Sequence, residues 1–283
     1  MASMIEETVA RPSMTGRWSS VGLRWAGIGL VAVSWVSAAF FGAYILAFYA
    51  GAIPSHRLEQ WNSNLPGLYD SGNPAAFLAM AAHLVTGGTL LLLGPIQLIG
   101  ALRRRWPPLH RWLGRLYVLA AGLAGFGGLG FILGKGTIGG LPMDVGFGLY
   151  GALMVVASTE TYRNARARRI EIHRAWAIRL FALAIGSWLY RMDYGFWLLI
   201  AKGAGHTHGF DGPFDVVMVF FFYLPNLAIA ELFIRARQAP SHDGVRLAAT
   251  LVLNVATFFV ALGTYYFIRF YWGPAIVGAF SAV

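Results

Sequence analysis

The chain has no cysteine among its 283 residues. Disulfide bonds, cysteine-ligated iron–sulfur clusters and thiolate metal sites are therefore excluded. Charged residues are scarce at 12%, about half of the share that soluble domains carry. Hydrophobic residues reach 57%, which is too high for a soluble chain of this length. The composition thus predicts an all-α protein, a polytopic transmembrane helical bundle.

Lysine is also rare, since Lys135 and Lys202 are the only two among 22 basic residues. Both lie outside the long apolar segments, so the last segment has no lysine for a retinal Schiff base. Nucleotide-binding, zinc-protease and nucleophile-elbow motifs are absent from the sequence as well. A rhodopsin-like function is excluded, no catalytic residue is assigned, and whether the protein is an enzyme stays open.

Apolar runs are what the sequence has in abundance. A helix needs about 20 apolar residues to cross a bilayer. Seven segments meet this length, at 21–50, 74–102, 110–134, 142–164, 172–200, 213–236 and 245–272. We predict a single transmembrane domain over residues 20–283, preceded by a disordered cytoplasmic tail over residues 1–19.

Arginines mark every second boundary between these segments, and they account for most of the formal net charge of +10. The boundary residues are Arg17, Arg24, Arg103–Arg105, Arg163–Arg169, Arg235, Arg237 and Arg246. Basic residues collect on the cytoplasmic side of membrane proteins. The pattern therefore predicts a cytoplasmic N-terminus and an extracytoplasmic C-terminus. The expected partner of this charge is the lipid bilayer rather than nucleic acid.

Two stretches of the chain, Gly100–Leu116 and Asn164–Leu180, resemble each other. Each has an arginine cluster, a His-Arg pair, a tryptophan and another arginine that opens an apolar run. The repeat predicts two helical hairpins, at about 74–134 and 142–200, that together form a four-helix core. The other segments are expected around this core, whose many glycines let membrane helices approach closely.

The repeat places one histidine of each hairpin, His110 and His173, at the same membrane boundary. Two imidazoles on neighbouring helices are suitable axial ligands for haem iron, so a single b-type haem is predicted here. Arginines bind carboxylates bidentately, and those nearby are expected to pair with the haem propionates. They are Arg111, Arg115, Arg174 and Arg179. The alternative is an interfacial cluster that contacts lipid headgroups.

His83 is different, because it lies well inside the second segment. It is about 30 Å along a helix from Arg103, too far to share a site with the histidine pair. An ionisable residue within the membrane usually has a function. Its role stays open between a single ligand (with Met143 or Met192 opposite), a proton relay and a hydrogen-bonded structural residue.

Arg191 is expected at a depth similar to that of His83. We therefore predict a second polar pocket that faces the extracytoplasmic side. Gln97 and Asn226, each close after a proline at membrane depth, complete the predicted pocket. The alternative is that the charged side chains extend to the membrane interface.

A string of motifs resembles a known family. The motifs are His83–Gly87, Gly94–Gln97, Leu102–Tyr117, His173–Arg179, Tyr190–Arg191 and Leu224–Glu231. Over about residues 75–235 they resemble the bacterial multi-pass membrane family called domain of unknown function 2306, which implies little about activity. In outline the hairpins are also similar to cytochrome b561-type four-helix cores, which hold haem on alternate helices. With one histidine pair in this sequence, that likeness implies a single haem.

The sequence thus favours an integral membrane protein that binds one b-type haem for transmembrane or quinone-linked electron transfer. Two alternatives stay open. The first is a non-catalytic accessory or assembly subunit that docks on other membrane subunits through its basic face. The second is a transporter or sensor of a small lipid-like or anionic ligand held in the glycine-rich core.

Overall fold

The computed structural model describes residues 14–54, 56–63, 67–238 and 243–281, and these residues form helices and turns without strands. The helices are α1 (Met14–Phe48), α2 (Pro74–Leu98), α3 (Gly100–Arg105), α4 (Pro107–Lys135), α5 (Gly140–Arg166), α6 (Ile170–Ala184), α7 (Gly186–Ala201), α8 (Pro213–Phe221), α9 (Leu224–Gln238), α10 (Asp243–Phe267) and α11 (Gly273–Ser281). A π-helical turn, Ile268–Trp272, joins α10 to α11. Of the predicted tail, residues 1–13 lie outside the described residues, and residues 14–19 belong to α1.

Six helical stretches among the described residues are long and apolar enough to cross a membrane. They are Trp18–Ala52, Pro74–Leu98, Pro107–Lys135, Gly140–Arg166, Pro213–Arg237 and Asp243–Gly278. The protein is therefore a multi-pass membrane protein. The remaining predicted segment corresponds to α6 and α7, and counting this pair as one crossing is consistent with the predicted number of about seven.

The prediction of one continuous helix over 172–200, the fifth segment, is wrong. It divides at Ile185 into α6 of 15 residues and α7 of 16 residues. A helix break in an apolar medium exposes backbone groups that need partners within the protein. The hydroxyl of Tyr150 supplies one of them, since it donates to the Leu183 carbonyl at 2.8 Å. Gly186 lies against the Phe222 carbonyl, 3.2 Å from where a Cβ would be, so a larger residue would crowd this junction.

Two other predicted segments are also divided. The segment 213–236 breaks between α8 and α9, where Pro225 has no N–H to donate to the Phe221 carbonyl. The Asn226 side chain donates to the adjacent Phe222 carbonyl at 2.7 Å, which satisfies part of the freed backbone. The segment 74–102 ends early at Leu98, because the extended backbone of Ile99 separates α2 from the short helix α3.

Four crossings form a closed ring at the centre of the fold. Helix α2 contacts α4, α4 contacts α5, α5 contacts α6, and α6 returns to α2. This ring is the four-helix core that the repeat predicts. Around it, α1 packs between α2 and α10, while α9 contacts α6 and α10, and α8 contacts α5.

Glycines of α4 bring its backbone close to both neighbours in the ring. A Cβ on Gly127 would lie 2.7 Å from the Ala79 carbonyl oxygen of α2. A Cβ on Gly125 would lie 3.0 Å from the Gly151 carbonyl oxygen of α5. Side-chain atoms cannot occupy these positions, so α4 depends on glycine for its place between α2 and α5.

Replacing Gly127 with alanine is predicted to lower stability by about 1–3 kcal/mol, the usual cost of overpacking a well-packed interior. The methyl group would meet backbone atoms of α2, which cannot move away as a side chain can. Thermal unfolding of the detergent-purified protein, followed by circular dichroism, measures the effect. Gly148→Ala is the matched control, because nothing lies within 4 Å of its added Cβ. Equal melting temperatures for the two variants would contradict the prediction.

Candidate functional site

A cavity of about 510 Å³ lies inside the ring of α2, α4, α5 and the α6–α7 crossing. Its volume falls within the range of about 300–1,000 Å³ that is typical of ligand sites. The walls are mainly apolar or glycine. The side chains and backbones that face it include Met80, His83, Gly87, Gly125, Gly128, Phe131, Met143, Phe147, Gly151, Ser187, Tyr190 and Arg191.

His83 enters the cavity wall from α2 with its ring held by α4. Its Nδ1 lies 2.7 Å from the Ala124 carbonyl oxygen, which only accepts, so Nδ1 carries the proton. The glycine pair of α4 makes room for the ring, because a Cβ on Gly128 would lie 3.1 Å from Nδ1. In the neutral imidazole this bond leaves Nε2 unprotonated, free to accept a hydrogen bond or to bind a metal.

Arg191 lines the same cavity from α7 and is close enough to His83 for their charges to interact. Its guanidinium donates to the Ser187 carbonyl at 3.1 Å and lies 5.0 Å from the centre of the Phe41 ring. Across the described parts of the chain, the Arg191 guanidinium forms no ion pair with a carboxylate. The cavity thus has an apolar body and one cationic region.

One end of the cavity lies at the loops that join the helices. Lys135, at the end of α4, lines this end together with Gly67 and Thr137. The Lys135 ammonium is 2.7 Å from the Asp70 carboxylate, and both side chains are partly exposed to solvent. The hydrogen bond from Lys135 lowers the pKa of Asp70, with help from the Gly72 N–H, so the carboxylate stays ionised at neutral pH. An ion pair therefore stands at the mouth of the cavity.

A chain of polar side chains connects the cavity wall to the loop before α8. The Tyr190 hydroxyl, which borders the cavity, donates to the Tyr194 hydroxyl at 3.2 Å. Tyr194 in turn donates to the Asp215 carboxylate at 2.6 Å, and His206 Nδ1 lies 2.8 Å from the same oxygen. The second oxygen of Asp215 accepts backbone N–H groups at 3.0 Å each. The donors are Thr207 and Gly212.

Sequence reasoning missed this role of Asp215. The residue is fully buried, yet all of its partners are donors that converge from one loop and one helix. One signal was available in the sequence. Asp215 lies three residues after Gly212, in the first turn of a helix that begins with Pro213. An acidic side chain at this position commonly caps the helix by accepting from the backbone N–H of the residue before the first turn. The proline marked the helix start, but the donors across the loop were not visible in the sequence.

The histidine pair lies at the opposite end of the bundle. One end of the Gln97 side-chain amide lies 3.3 Å from the Gly114 nitrogen, and the other lies 3.2 Å from both His110 Nδ1 and the His110 carbonyl oxygen. Both ends are satisfied when the amide oxygen is assigned to the Gly114 side and the amide nitrogen to the His110 side. His110 Nδ1 is then an acceptor, and the neutral ring carries its proton on Nε2. Along α4 the distance from His110 to Ala124, beside His83, is about 21 Å. The pair and the cavity are separate sites.

His173 has the opposite arrangement. Its Nδ1 donates to the Thr161 carbonyl at 2.9 Å, which leaves Nε2 unprotonated. The structure brings His110 and His173 close enough for their charges to interact, as the repeat predicts. However, only His173 offers a free ring nitrogen in this hydrogen-bond pattern. No group of three or more metal-binding side chains occurs within the described residues. A haem between the two histidines stays a prediction.

The arginines predicted to bind propionates divide into two groups. Arg179 is engaged with Glu231 at 2.6 Å, and Arg174 with Glu171 at 2.6 Å. Arg111 and Arg115 are exposed on α4.

Of the residues predicted for the polar pocket, two line the cavity, namely His83 and Arg191, whereas Gln97 and Asn226 do not.

Comparison with known families gives one relationship. A family model described as a predicted membrane protein (DUF2306) matches residues 80–234, more than half of the chain. The chain belongs to this family. No curated protein matched the chain, and no solved structure matched it either. The similarity to cytochrome b561-type cores is not shown by these comparisons.

The part of the chain that matches the DUF2306 family contains both polar regions. It begins within α2, just before His83, and ends within α9. It therefore includes Arg191 and the histidine pair, whereas α1 and α10 lie outside it. The family match thus covers the ring of helices that encloses the cavity.

Because the DUF2306 chain is free of cysteine, the cavity can be probed with a single introduced thiol. Ser187→Cys, on the cavity wall, is predicted to react with a membrane-impermeant methanethiosulfonate added to the purified protein. Ser158→Cys is the control, since Ser158 is 5% exposed and its hydroxyl is bonded to the Val155 carbonyl. Mass spectrometry reads the modification. Equal labelling of the two thiols would show that the cavity is closed to reagent.

Asp215→Asn is predicted to destabilise the protein by about 1–3 kcal/mol, the cost of leaving a buried polar group without a partner. One carboxylate oxygen becomes an NH₂ group, which then faces donors instead of accepting from them. Asp211→Asn, at an exposed position of the same loop, is expected to change stability less. Melting temperatures in detergent compare the two variants, and a larger loss for Asp211→Asn would contradict the assignment.

Proposed function

We propose that this membrane protein binds a small amphipathic anion in the cavity and acts as a carrier or sensor for it. The observation that carries the proposal is Arg191, a guanidinium in a mainly apolar cavity with no carboxylate paired to it in the described residues. A cation in such surroundings is costly unless an anion accompanies it. A bound ligand that brings a negative group supplies that counter-charge.

The chemistry of the wall indicates the kind of ligand. Guanidinium groups bind carboxylates and phosphates through paired hydrogen bonds. His83 adds a ring nitrogen that accepts a hydrogen bond from a protonated group of the ligand. The apolar and glycine surfaces that make up the rest of the cavity suit a hydrocarbon chain or ring. A carboxylate with a medium-length apolar body satisfies both parts.

The mouth of the cavity supports entry from one side of the membrane. Lys135 and Asp70 form a partly exposed ion pair at this end, so the entrance is polar and reaches solvent while the two charges offset each other. The arginine-rich helix ends are at the other side, which is cytoplasmic if the protein follows the rule for basic residues. In a bacterial inner membrane the cavity would then open toward the extracytoplasmic side.

Haem binding at His110 and His173, with quinone-linked electron transfer, is the second candidate. The hydrogen bond from His173 to the Thr161 carbonyl favours it, since metal-bound histidines commonly hold their other ring N–H in this way. Within the described residues the His110 ring has no such bond to a backbone carbonyl, and this is why the candidate comes second. Docking of the arginine-rich end on a partner subunit stays a prediction of the sequence.

Decanoate is predicted to raise the melting temperature of the detergent-purified protein, and 1-decanol, with the same chain and no charge, to raise it less. Arg191→Gln should weaken the decanoate response by about 10- to 100-fold in concentration, because a hydrogen bond to a charged group contributes about 1.5–3 kcal/mol. Arg191→Lys, which keeps the charge, should weaken the decanoate response less than Arg191→Gln does. Arg166→Gln, an exposed arginine of α5, is the matched control.

Two results would overturn the anion proposal. The first is an equal response to decanoate and decanol, and the second is an unchanged response in Arg191→Gln. An absorption spectrum of the oxidised and dithionite-reduced protein separates the second candidate. A Soret band that His173→Ala removes would favour the haem, whereas protein without the band that still responds to decanoate would favour the anion.

A further inference from the structure

A second feature at the arginine-rich end is independent of the cavity. A small groove of about 60 Å³ lies between the first turns of α6 and the last turns of α9. Two arginines, Arg174 of α6 and Arg237 of α9, border it together with Glu171. Apolar side chains complete the groove on the side toward the membrane span, with Ile178 from α6 and Ile234 from α9.

Positive charge at this groove exceeds negative charge. Arg103 of α3 is close enough to Arg174 and Arg237 for their like charges to interact. Burial and these neighbouring cations lower the pKa of Arg103. Among the described residues, Glu171 is the carboxylate whose charge acts on Arg103, and it is already paired with Arg174 at 2.6 Å. Like charges at short range repel each other, so the cluster is stabilised by any anion that lies among them.

The position of the groove matches the headgroup level of a bilayer. Arg237 is the last residue of the crossing Pro213–Arg237, and Arg174 lies in the second turn of α6. Cations thus stand at the end of a membrane span, while Ile178 and Ile234 continue toward the apolar interior. Basic pockets between membrane helices commonly bind anionic phospholipids. A headgroup phosphate and the start of its acyl chain require this order of charged and apolar surfaces.

We infer that this groove binds the headgroup phosphate of an anionic phospholipid, with Arg174 and Arg237 as its donors. The site does not depend on the proposed function of the cavity. Arg174 and Arg191 are separated by about 25 Å along the α6–α7 crossing, so a ligand in one site does not touch the other. Free inorganic phosphate offers the same chemistry without the chain, and the test distinguishes the two.

Native mass spectrometry of the delipidated protein in detergent tests the inference, with phosphatidylglycerol and phosphatidylcholine at equal concentrations as probes. We expect phosphatidylglycerol to bind at least tenfold more tightly than phosphatidylcholine. The double variant R174Q/R237Q should lose at least tenfold of this affinity. The matched control is R111Q/R115Q, which removes the same charge from exposed positions at the same end of the bundle.

The control separates a built site from general attraction to a basic surface. Equal losses in the two double variants would overturn the inference, and so would equal binding of the two lipids. Inorganic phosphate is the third probe, and displacement of the lipid by millimolar phosphate would assign the site to the free ion instead. If R174Q/R237Q does not fold, R174K/R237K replaces it, and this variant should bind more weakly because lysine lacks the paired donors of arginine.

Discussion

The close backbone contact between α2 and α4 is the constraint on which the rest of the structure depends. Gly127 lets the two helices meet at a distance that no side chain would allow, and Gly128 leaves space for the His83 ring. Because Nδ1 of His83 donates to the Ala124 carbonyl, the orientation of the ring is fixed and Nε2 is its unprotonated nitrogen. The α5 helix and the α6–α7 crossing close the ring on the other side and supply Phe147, Tyr150 and Tyr190 to the cavity wall.

Much of the fold was predictable, because hydropathy and arginine placement report directly on membrane crossing. The repeat around His110 and His173 also predicted the ring of four helices. The break between α8 and α9 follows from Pro225, which the sequence shows. The break at Ile185 was not predictable in the same way, since its freed backbone is satisfied by the Tyr150 hydroxyl from a distant part of the chain. Hydropathy measures how apolar a segment is and is insensitive to where its hydrogen bonds go.

The candidate sites were predictable to a smaller extent. His83 and Arg191 stood out because ionisable residues at membrane depth are rare, and the structure places both at the cavity. Gln97 stood out because it closely follows a proline at membrane depth, but its amide contacts His110 at the far end of α2. The repeat predicted that the two histidines lie near each other. It did not predict their hydrogen-bond partners, which are the Thr161 carbonyl for His173 and the Gln97 amide for His110.

The division of one crossing at Ile185 has a mechanical consequence. Ile185 keeps helical backbone angles, its N–H donates to the Phe181 carbonyl, and its own carbonyl accepts from the Leu189 N–H. Backbone hydrogen bonds therefore run through the junction and keep α6 and α7 joined. Each half carries one of the two polar regions, Arg191 on α7 and His173 on α6. The α6 half is fixed to α9 by the ion pair of Arg179 with Glu231, so the two polar regions share one crossing that is held firmly at the His173 end.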